Sequence, residues 1–217
     1  MNRDEILQRI RKLGVLPVVR ASSGEEALAL VAALRAGGID VIELTLTVPG
    51  AVEIIRELAR SAKGCLVGAG TVLDAETARA CLLAGAQFIV SPIVDEPTIQ
   101  LCRTYGAPVM AGALTPTEVV RAWRAGSDLV KVFPCGAVGG ASYLKALKAP
   151  LPQVELIPTG GVSLETAGDF IAAGAAAVGA GADLVDPKRI RAGDAAWITD
   201  RAGRYLAAVA KARGQAS

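Results

Sequence analysis

The 217-residue sequence contains no histidine. This absence excludes a Ser-His or Cys-His nucleophile pair, and it excludes a zinc site built on imidazole ligands. If the protein is an enzyme, its proton transfers must use Glu, Asp, Lys, Tyr or Cys side chains. Charged residues in unusual positions are therefore the first candidates for catalytic groups.

Paired cysteine motifs, long apolar runs and charge blocks are also missing. Cys65, Cys81, Cys102 and Cys135 form no CxxC motif, and we interpret them as free thiols in small apolar positions. No apolar stretch reaches the roughly 18 residues that span a bilayer, and the charged segment 1–14 is typical of a surface helix rather than a signal peptide. The sequence predicts a cytoplasmic protein without a membrane partner.

The formal net charge of +2 comes from interspersed positive and negative residues. A nucleic-acid-binding protein usually shows a basic patch or stripe, and this sequence has none. We therefore expect small molecules, and no nucleic acid, as partners.

One sequence pattern occurs four times: a helix end, then a glycine, then the start of an apolar strand. The four glycines, each expected to adopt the left-handed helix cap, are Gly37, Gly85, Gly126 and Gly174. Their spacing of roughly 40 to 50 residues leaves room for two strand–helix units per repeat. Four further apolar segments bring the predicted strands to eight, and they begin at Val15, Cys65, Pro108 and Leu156.

Strands that alternate with helices predict a single (β/α)8 TIM barrel over residues 1–217. An extra N-terminal helix, with Ile6, Ile10 and Leu13 near helical spacing, is expected to close the N-terminal end of the barrel. An open doubly wound sheet is the alternative, disfavoured because no GxGxxG motif follows the first strand. Active sites of such barrels lie at the carboxyl ends of the strands.

Two charged residues interrupt apolar strands. In DVIELTLT the apolar residues Ile42, Leu44 and Leu46 alternate with a set that contains Glu43. In DLVKVFP the apolar residues Val130 and Val132 flank Lys131, which therefore falls on the other face of its strand. If the apolar sets face the helices, both charges point into the barrel. A partly desolvated lysine can form a Schiff base with a carbonyl, while a carboxylate moves protons. A structural ion pair, or a lysine that reaches the rim, is the alternative.

Further strand ends carry groups that suit anionic substrates. Arg20 follows the first strand and fits a carboxylate, and Thr47 and Thr71 offer hydroxyls after the second and third strands. A solvated arginine and ordinary barrel packing are the alternatives. We predict these three residues to bind substrate.

Two glycine-rich loops are expected after the last two strands. Gly160 and Gly161 lie in PTGGV, and Gly181 lies in VGAGADL. Backbone N–H groups of glycines can approach an anion closely, and these two loops are where TIM barrels usually bind phosphate. Turns also use Gly-Gly, so the two loops together carry the prediction.

Six motifs occur in one order along nearly the whole chain: VIELTLTVPGA, VGAGTVL, FIVSP, LTPTEVV, LVKVFP and IPTGGV. In these the sequence resembles the 2-keto-3-deoxy-6-phosphogluconate (KDPG) aldolases, which include the 4-hydroxy-2-oxoglutarate (KHG) aldolases. The resemblance implies a class I aldolase without metal or other cofactor, typically a homotrimer. Its expected reaction cleaves KDPG to pyruvate and glyceraldehyde 3-phosphate in the Entner–Doudoroff pathway.

The resemblance also implies roles for individual residues. Lys131 matches the Schiff-base lysine and Glu43 the general acid/base. Thr71 matches the threonine at the pyruvate carboxylate, and Arg20 matches the arginine that ends the first strand. Some members have arginine where this chain has Thr47, so carboxylate binding is expected to depend more on Arg20.

The eighth strand departs from the family pattern. Gly181-Ala182 stands where Gly-Ser is usual, which removes one hydroxyl donor to phosphate. Other possible substrates are therefore 4-hydroxy-2-oxoglutarate, the galactonate-derived isomer and an unphosphorylated 2-keto-3-deoxy sugar acid. A phosphate-binding barrel isomerase or synthase with Glu43 as base, and a non-catalytic sugar-phosphate binder, are the alternatives from other classes.

Overall fold

The computed structural model describes residues 1–214. The strands in this part of the chain are β1 Val15–Val19, β2 Val41–Thr45, β3 Leu66–Gly70, β4 Ile89–Val90, β5 Val109–Ala113, β6 Leu129–Val132, β7 Leu156–Pro158 and β8 Val178–Ala180. The single domain over 1–217 stays a prediction, and its last three residues lie outside the described part.

One helix precedes β1, and the others follow the strands around the barrel. The helices are α1 Arg3–Leu13, α2 Gly24–Ala36, α3 Ala51–Ser61, α4 Ala75–Ala84, α5 Glu96–Thr104, α6 Pro116–Ala125, the 3-10 helix η1 Cys135–Val138, α7 Gly140–Lys148, α8 Ala167–Ala172, α9 Pro187–Arg191 and α10 Ala195–Ala212. Between residues 1 and 214, none of the helices is long and apolar enough to cross a membrane.

All adjacent strands pair in parallel, in the order β7-β6-β5-β4-β3-β2-β1-β8. A parallel bridge between Thr159 and Gly179 joins the two outer strands of this order. The predicted (β/α)8 barrel with an extra N-terminal helix is thus confirmed. This architecture brings the carboxyl ends of eight strands to one mouth.

Strand alternation divides the apolar residues into two cores. One core lies between strands and helices and includes Ile42, Leu44, Val130 and Val132. The other fills the barrel interior, and its members are Ile6, Leu7, Ile10, Leu16, Val41, Leu66, Phe88, Val90, Met110, Leu129, Ile157 and Ala177. The strand pattern predicted this division correctly for β2 and β6.

Helix α1 closes the amino end of the barrel. Its side chains Ile6, Leu7 and Ile10 are buried in the interior core, whereas Leu13 packs at the edge of that core. Asn2 begins the helix with a capping box that pairs its side chain with Glu5. The predicted position of this helix is therefore confirmed.

Three of the four predicted cap glycines have the left-handed conformation. Gly85, Gly126 and Gly174 have φ angles of 110°, 101° and 97°. The prediction was wrong for Gly37, whose φ is −83°, because the next residue, Gly38, takes the left-handed turn with φ of 92°. A Cβ on Gly37 would lie 2.4 Å from the Thr199 carbonyl oxygen, so helix packing explains that glycine.

Gly68 on β3 offers a test of the interior packing. A Cβ at this position would lie 2.1 Å from the Phe88 ring, so we expect Gly68→Ala to lower the free energy of unfolding by about 2 kcal/mol. Gly203 lies within α10, where a Cβ would meet its nearest atom, the Gly37 carbonyl oxygen, at 4.0 Å. Gly203→Ala is the control and should raise stability by roughly 0.5 to 1 kcal/mol. Urea unfolding measures both, and equal effects would contradict the packing described.

Candidate active site

The strands β2 and β6 place two opposite charges inside the barrel. The Lys131 Nζ lies 3.4 Å from the Glu43 Oε1, and the two side chains are only 5% and 1% exposed. Both residues point inward, as the strand pattern predicts. A buried ion pair is costly unless the geometry compensates, so its presence at this depth needs a reason beyond packing.

Neighbouring residues leave space for this pair. Glu43 packs over Gly70 on β3, where a Cβ would lie 2.2 Å from the Glu43 Oε1. The Lys131 Nζ lies 5.6 Å from the centre of the Phe133 ring, within the range of a cation–π interaction. The role of Phe133 was not predicted, although its position two residues after Lys131 gives it the same inward parity.

A cleft of about 360 Å³ opens beside Phe133, and we call it the glycine cleft. Its remaining lining residues are Val18, Arg20, Thr159, Gly160, Gly161, Val162, Gly181, Ala182 and Asp183. Four of the predicted substrate-binding residues therefore come together here. Arg20 lies with the predicted phosphate loops, and its role at a carboxylate stays a prediction.

The backbone of the glycine cleft suits an anion. Gly160 and Gly161 both have φ of 80°, a conformation that favours glycine. Within the described residues, their N–H groups donate to no backbone carbonyl. A Cβ on Gly181 would meet no protein atom within 4 Å. Packing within the described residues therefore does not explain Gly181.

A second cleft of about 300 Å³, the threonine cleft, contains Thr47 and Thr71. Thr71 has φ of 60°, which is rare and costs roughly 1 to 2 kcal/mol for a residue with a Cβ. Thr47 shares a 2.7 Å hydrogen bond with the hydroxyl of Thr45, which donates to the Val19 carbonyl at 3.0 Å. Thr71 directly follows Gly70, which contacts Glu43. Backbone strain of this kind is concentrated at functional sites.

The ion pair connects the two clefts. Glu43 contacts Gly70, whose neighbour Thr71 lines the threonine cleft, and Lys131 lies near Phe133, which lines the glycine cleft. Neither charged residue lines either cleft itself. The pair therefore contacts residues at or next to both clefts.

An unpredicted acidic residue, Asp183, also lies at the glycine cleft. Its Oδ2 accepts hydrogen bonds from the Leu164 N–H at 2.9 Å and the Tyr205 hydroxyl at 2.5 Å, and its Oδ1 accepts one from Arg201 at 2.5 Å. Burial opposes ionisation, but the hydrogen bonds from Tyr205 and Arg201 outweigh it and lower the pKa of Asp183. Its only sequence signal is its position after Gly181-Ala182.

All four cysteines are buried and free, as predicted. Burial raises the pKa of the Cys135 thiol to about 11 and that of Cys102 to about 12. Only the thiolate is a nucleophile, so these side chains act as packing groups at neutral pH. The Cys135 Sγ contacts the Gly140 carbonyl oxygen at 3.6 Å.

Other surface clefts are larger than the two described above. One of about 670 Å³ lies along α6 and contains Glu96, Arg121 and Arg124. The Arg121 guanidinium donates to the Glu96 carboxylate at 2.8 Å, which explains both charges as a surface ion pair. The clefts at the barrel mouth are the better candidates because they adjoin the buried Lys131–Glu43 pair.

A family model of the "KDPG and KHG aldolase" family matches residues 6–201. A 2-dehydro-3-deoxy-phosphogluconate aldolase of Treponema pallidum is 36% identical over 90% of this chain and 91% of the relative. A 2-dehydro-3-deoxy-6-phosphogalactonate aldolase of Escherichia coli is also 36% identical, over 94% of this chain and 97% of the relative.

A solved structure gives the same result for the fold. KDPG aldolase from Legionella pneumophila, with pyruvate captured as a covalent carbinolamine, has a TM-score of 0.84 and 30% identity, over 91% of this chain and 96% of that chain. Sequence, family model and fold agree along almost the full described length. The chain therefore belongs to the KDPG and KHG aldolase family and is a carbon–carbon lyase of the aldolase class.

Proposed function

We propose that this class I aldolase cleaves KDPG to pyruvate and glyceraldehyde 3-phosphate, with Lys131 as the Schiff-base nucleophile and Glu43 as the acid/base. The buried 3.4 Å contact between these two side chains, at the junction of the two clefts, carries the proposal. KHG, which would give pyruvate and glyoxylate, shares the 2-keto acid end and is a second substrate of the same site.

The first half of the reaction forms an iminium. Glu43 takes a proton from the Lys131 ammonium, and the free amine attacks the C2 ketone of the substrate. A second proton moves from the attacking nitrogen to the ketone oxygen, which gives the neutral carbinolamine. Glu43 then returns the proton to the carbinolamine hydroxyl, which leaves as water. The positive iminium at C2 becomes an electron sink for the next bond to break.

The second half breaks the carbon chain. Glu43 accepts the C4 hydroxyl proton, the C3–C4 electron pair moves toward the iminium, and the aldehyde leaves. Glu43 then protonates C3 of the remaining enamine, and water hydrolyses the iminium to release pyruvate and the Lys131 amine. The 3.4 Å spacing allows one carboxylate to serve each step.

The two clefts would hold opposite ends of the substrate. Thr71 and Thr47 supply hydroxyls near the pyruvate carboxylate, while the N–H groups of Gly160, Gly161 and Gly181 face the phosphate. Arg20 adds a positive charge at the glycine cleft. In this arrangement the reacting carbons lie above Lys131.

A second candidate is the galactonate-derived isomer of the same substrate. The relative named for this isomer matches the chain with the same 36% identity as the gluconate-named relative. The isomers differ at C4, the carbon whose hydroxyl Glu43 would deprotonate. Parallel assays with both isomers separate the two candidates.

We further propose a cytoplasmic homotrimer. The four free thiols support a reducing compartment. The exposed apolar side chains Leu73, Ile93, Tyr105 and Trp123 support a subunit interface, because association that removes apolar surface from water is favourable.

Incubation with pyruvate followed by borohydride reduction tests the nucleophile. We expect one reduced pyruvyl adduct, located by peptide mass on Lys131. Lys131→Ala should abolish both adduct and cleavage, because no other amine occupies this position. Glu43→Gln should slow both adduct formation and cleavage, the latter by about 100-fold or more, as expected for loss of a general base.

Lys145 on α7 is an exposed lysine and provides the control. Lys145→Ala should leave the adduct and the cleavage rate unchanged. An adduct that is missing from the folded wild-type protein, or cleavage that survives in Lys131→Ala, would contradict the proposed mechanism.

The phosphate position is tested at the loop after β8. Ala182→Ser adds a donor and should raise kcat/KM for KDPG, relative to its unphosphorylated analogue, by roughly tenfold, the value of one hydrogen bond to a charged group. Gly181→Ala should lower the same ratio while leaving the melting temperature unchanged, since its Cβ meets no protein atom. Unchanged ratios in both variants would place the phosphate elsewhere.

Sedimentation equilibrium tests the assembly. The expected mass is about three times the 22.1 kDa of one chain. Ile93→Asp should shift the distribution toward monomer, because association would then bury a carboxylate, while Lys12→Asp on α1 at the opposite end of the barrel should not. A wild-type protein that sediments as a monomer would refute the homotrimer.

A further inference from the structure

Asp183 joins two loops that come from different strands. Its carboxylate follows β8 and accepts a hydrogen bond from the backbone N–H of Leu164, which lies in the segment after β7. The β7 segment carries Gly160 and Gly161, and the β8 loop carries Gly181. A single side chain therefore bridges the two glycine loops that face the proposed phosphate position.

Both carboxylate oxygens of Asp183 are used within the protein. Leu164 and Tyr205 donate to one oxygen, and Arg201 donates to the other. Arg201 also donates to the backbone carbonyl of Asp183. The charge of the carboxylate is thus balanced by Arg201, and both of its oxygens bind protein groups. Asp183 therefore acts by fixing the residues that line the cleft rather than by contacting a ligand.

The partners of Asp183 are themselves held in place. Tyr205 is fully buried on α10. The Arg201 guanidinium lies 5.0 Å from the centre of the Trp197 ring, and Arg189 lies 4.7 Å from the same ring. Helix α10 therefore acts as a fixed support to which Asp183 attaches both loops.

We propose that Asp183 is a positioning residue that sets the separation of the two glycine loops and thereby the preference for a phosphorylated substrate. This inference rests on the proposed aldolase function. A phosphate bound by backbone N–H groups from two loops needs both sets of donors at fixed distances. Since Ala182 supplies no hydroxyl, the loop positions carry more of this selectivity here.

Asp183→Asn tests the inference because it keeps the shape but removes the charge and one acceptor. We expect KM for KDPG to rise about tenfold, with kcat within about twofold of wild type. KM for the unphosphorylated analogue and the rate of pyruvate adduct formation should not change. Tyr205→Phe, which removes only one donor, should shift KM for KDPG in the same direction by a smaller factor.

Asp128 provides a matched control at the opposite end of the barrel. Its Oδ2 also accepts a hydrogen bond from the Val109 N–H at 2.9 Å, and its Oδ1 forms an ion pair with the Arg3 guanidinium at 2.5 Å. Asp128→Asn should lower the melting temperature without changing the ratio of kcat/KM values for the two substrates. A similar change of that ratio in both Asn variants would reduce Asp183 to a general structural role and overturn the inference.

The sign of the KM change separates geometry from charge. Removing a negative charge near an anion should by itself tighten phosphate binding. An unchanged or lower KM for KDPG in Asp183→Asn therefore overturns the inference, and if that variant does not fold, the same result in Tyr205→Phe does so. A wild-type protein without a pyruvate adduct would instead overturn the proposed function, so the two failures are distinguishable.

Discussion

The contact between the Lys131 ammonium and the Glu43 carboxylate is the interaction on which the site depends. Each charge inside the barrel is tolerable because the other is present, and β2 and β6 must keep their register for the two to meet. Gly70 provides the space that Glu43 occupies, and Phe133 covers Lys131. Among the residues that the structure describes, neither neighbouring cleft is lined by a lysine, so the amine for a Schiff base comes from this pair.

The strand period of two explains why the central pair was predictable. Inward and outward positions alternate locally, so seven residues around Glu43 are enough to assign its direction, and the same holds for Lys131. Helix ends were predictable from glycine at Gly85, Gly126 and Gly174. The exception, Gly37, depends on the approach of α10 from a distant part of the chain, which no local pattern reports.

The remaining features of the site depend on contacts between residues that are far apart in the sequence, which the two-residue period of a strand does not predict. Asp183 meets Leu164, Arg201 and Tyr205 from 18 to 22 positions away in the sequence, and no motif marks those contacts. The position of Arg20 among the glycine loops likewise follows from β1 lying next to β8. Sequence patterns assign faces and ends of elements, whereas closure of the barrel decides which ends share a cleft.

Because α1 closes the amino end of the barrel, it restricts the route by which substrate, products and water reach Lys131. Within residues 1–214, Ile6, Leu7 and Ile10 fill the amino end of the barrel, so the route to Lys131 leads through the carboxyl mouth. Keto acid, aldehyde and the water that hydrolyses the iminium would share this one entrance. In the proposed mechanism pyruvate stays bound to Lys131 until water hydrolyses the iminium, so the aldehyde would leave through this mouth first and pyruvate last.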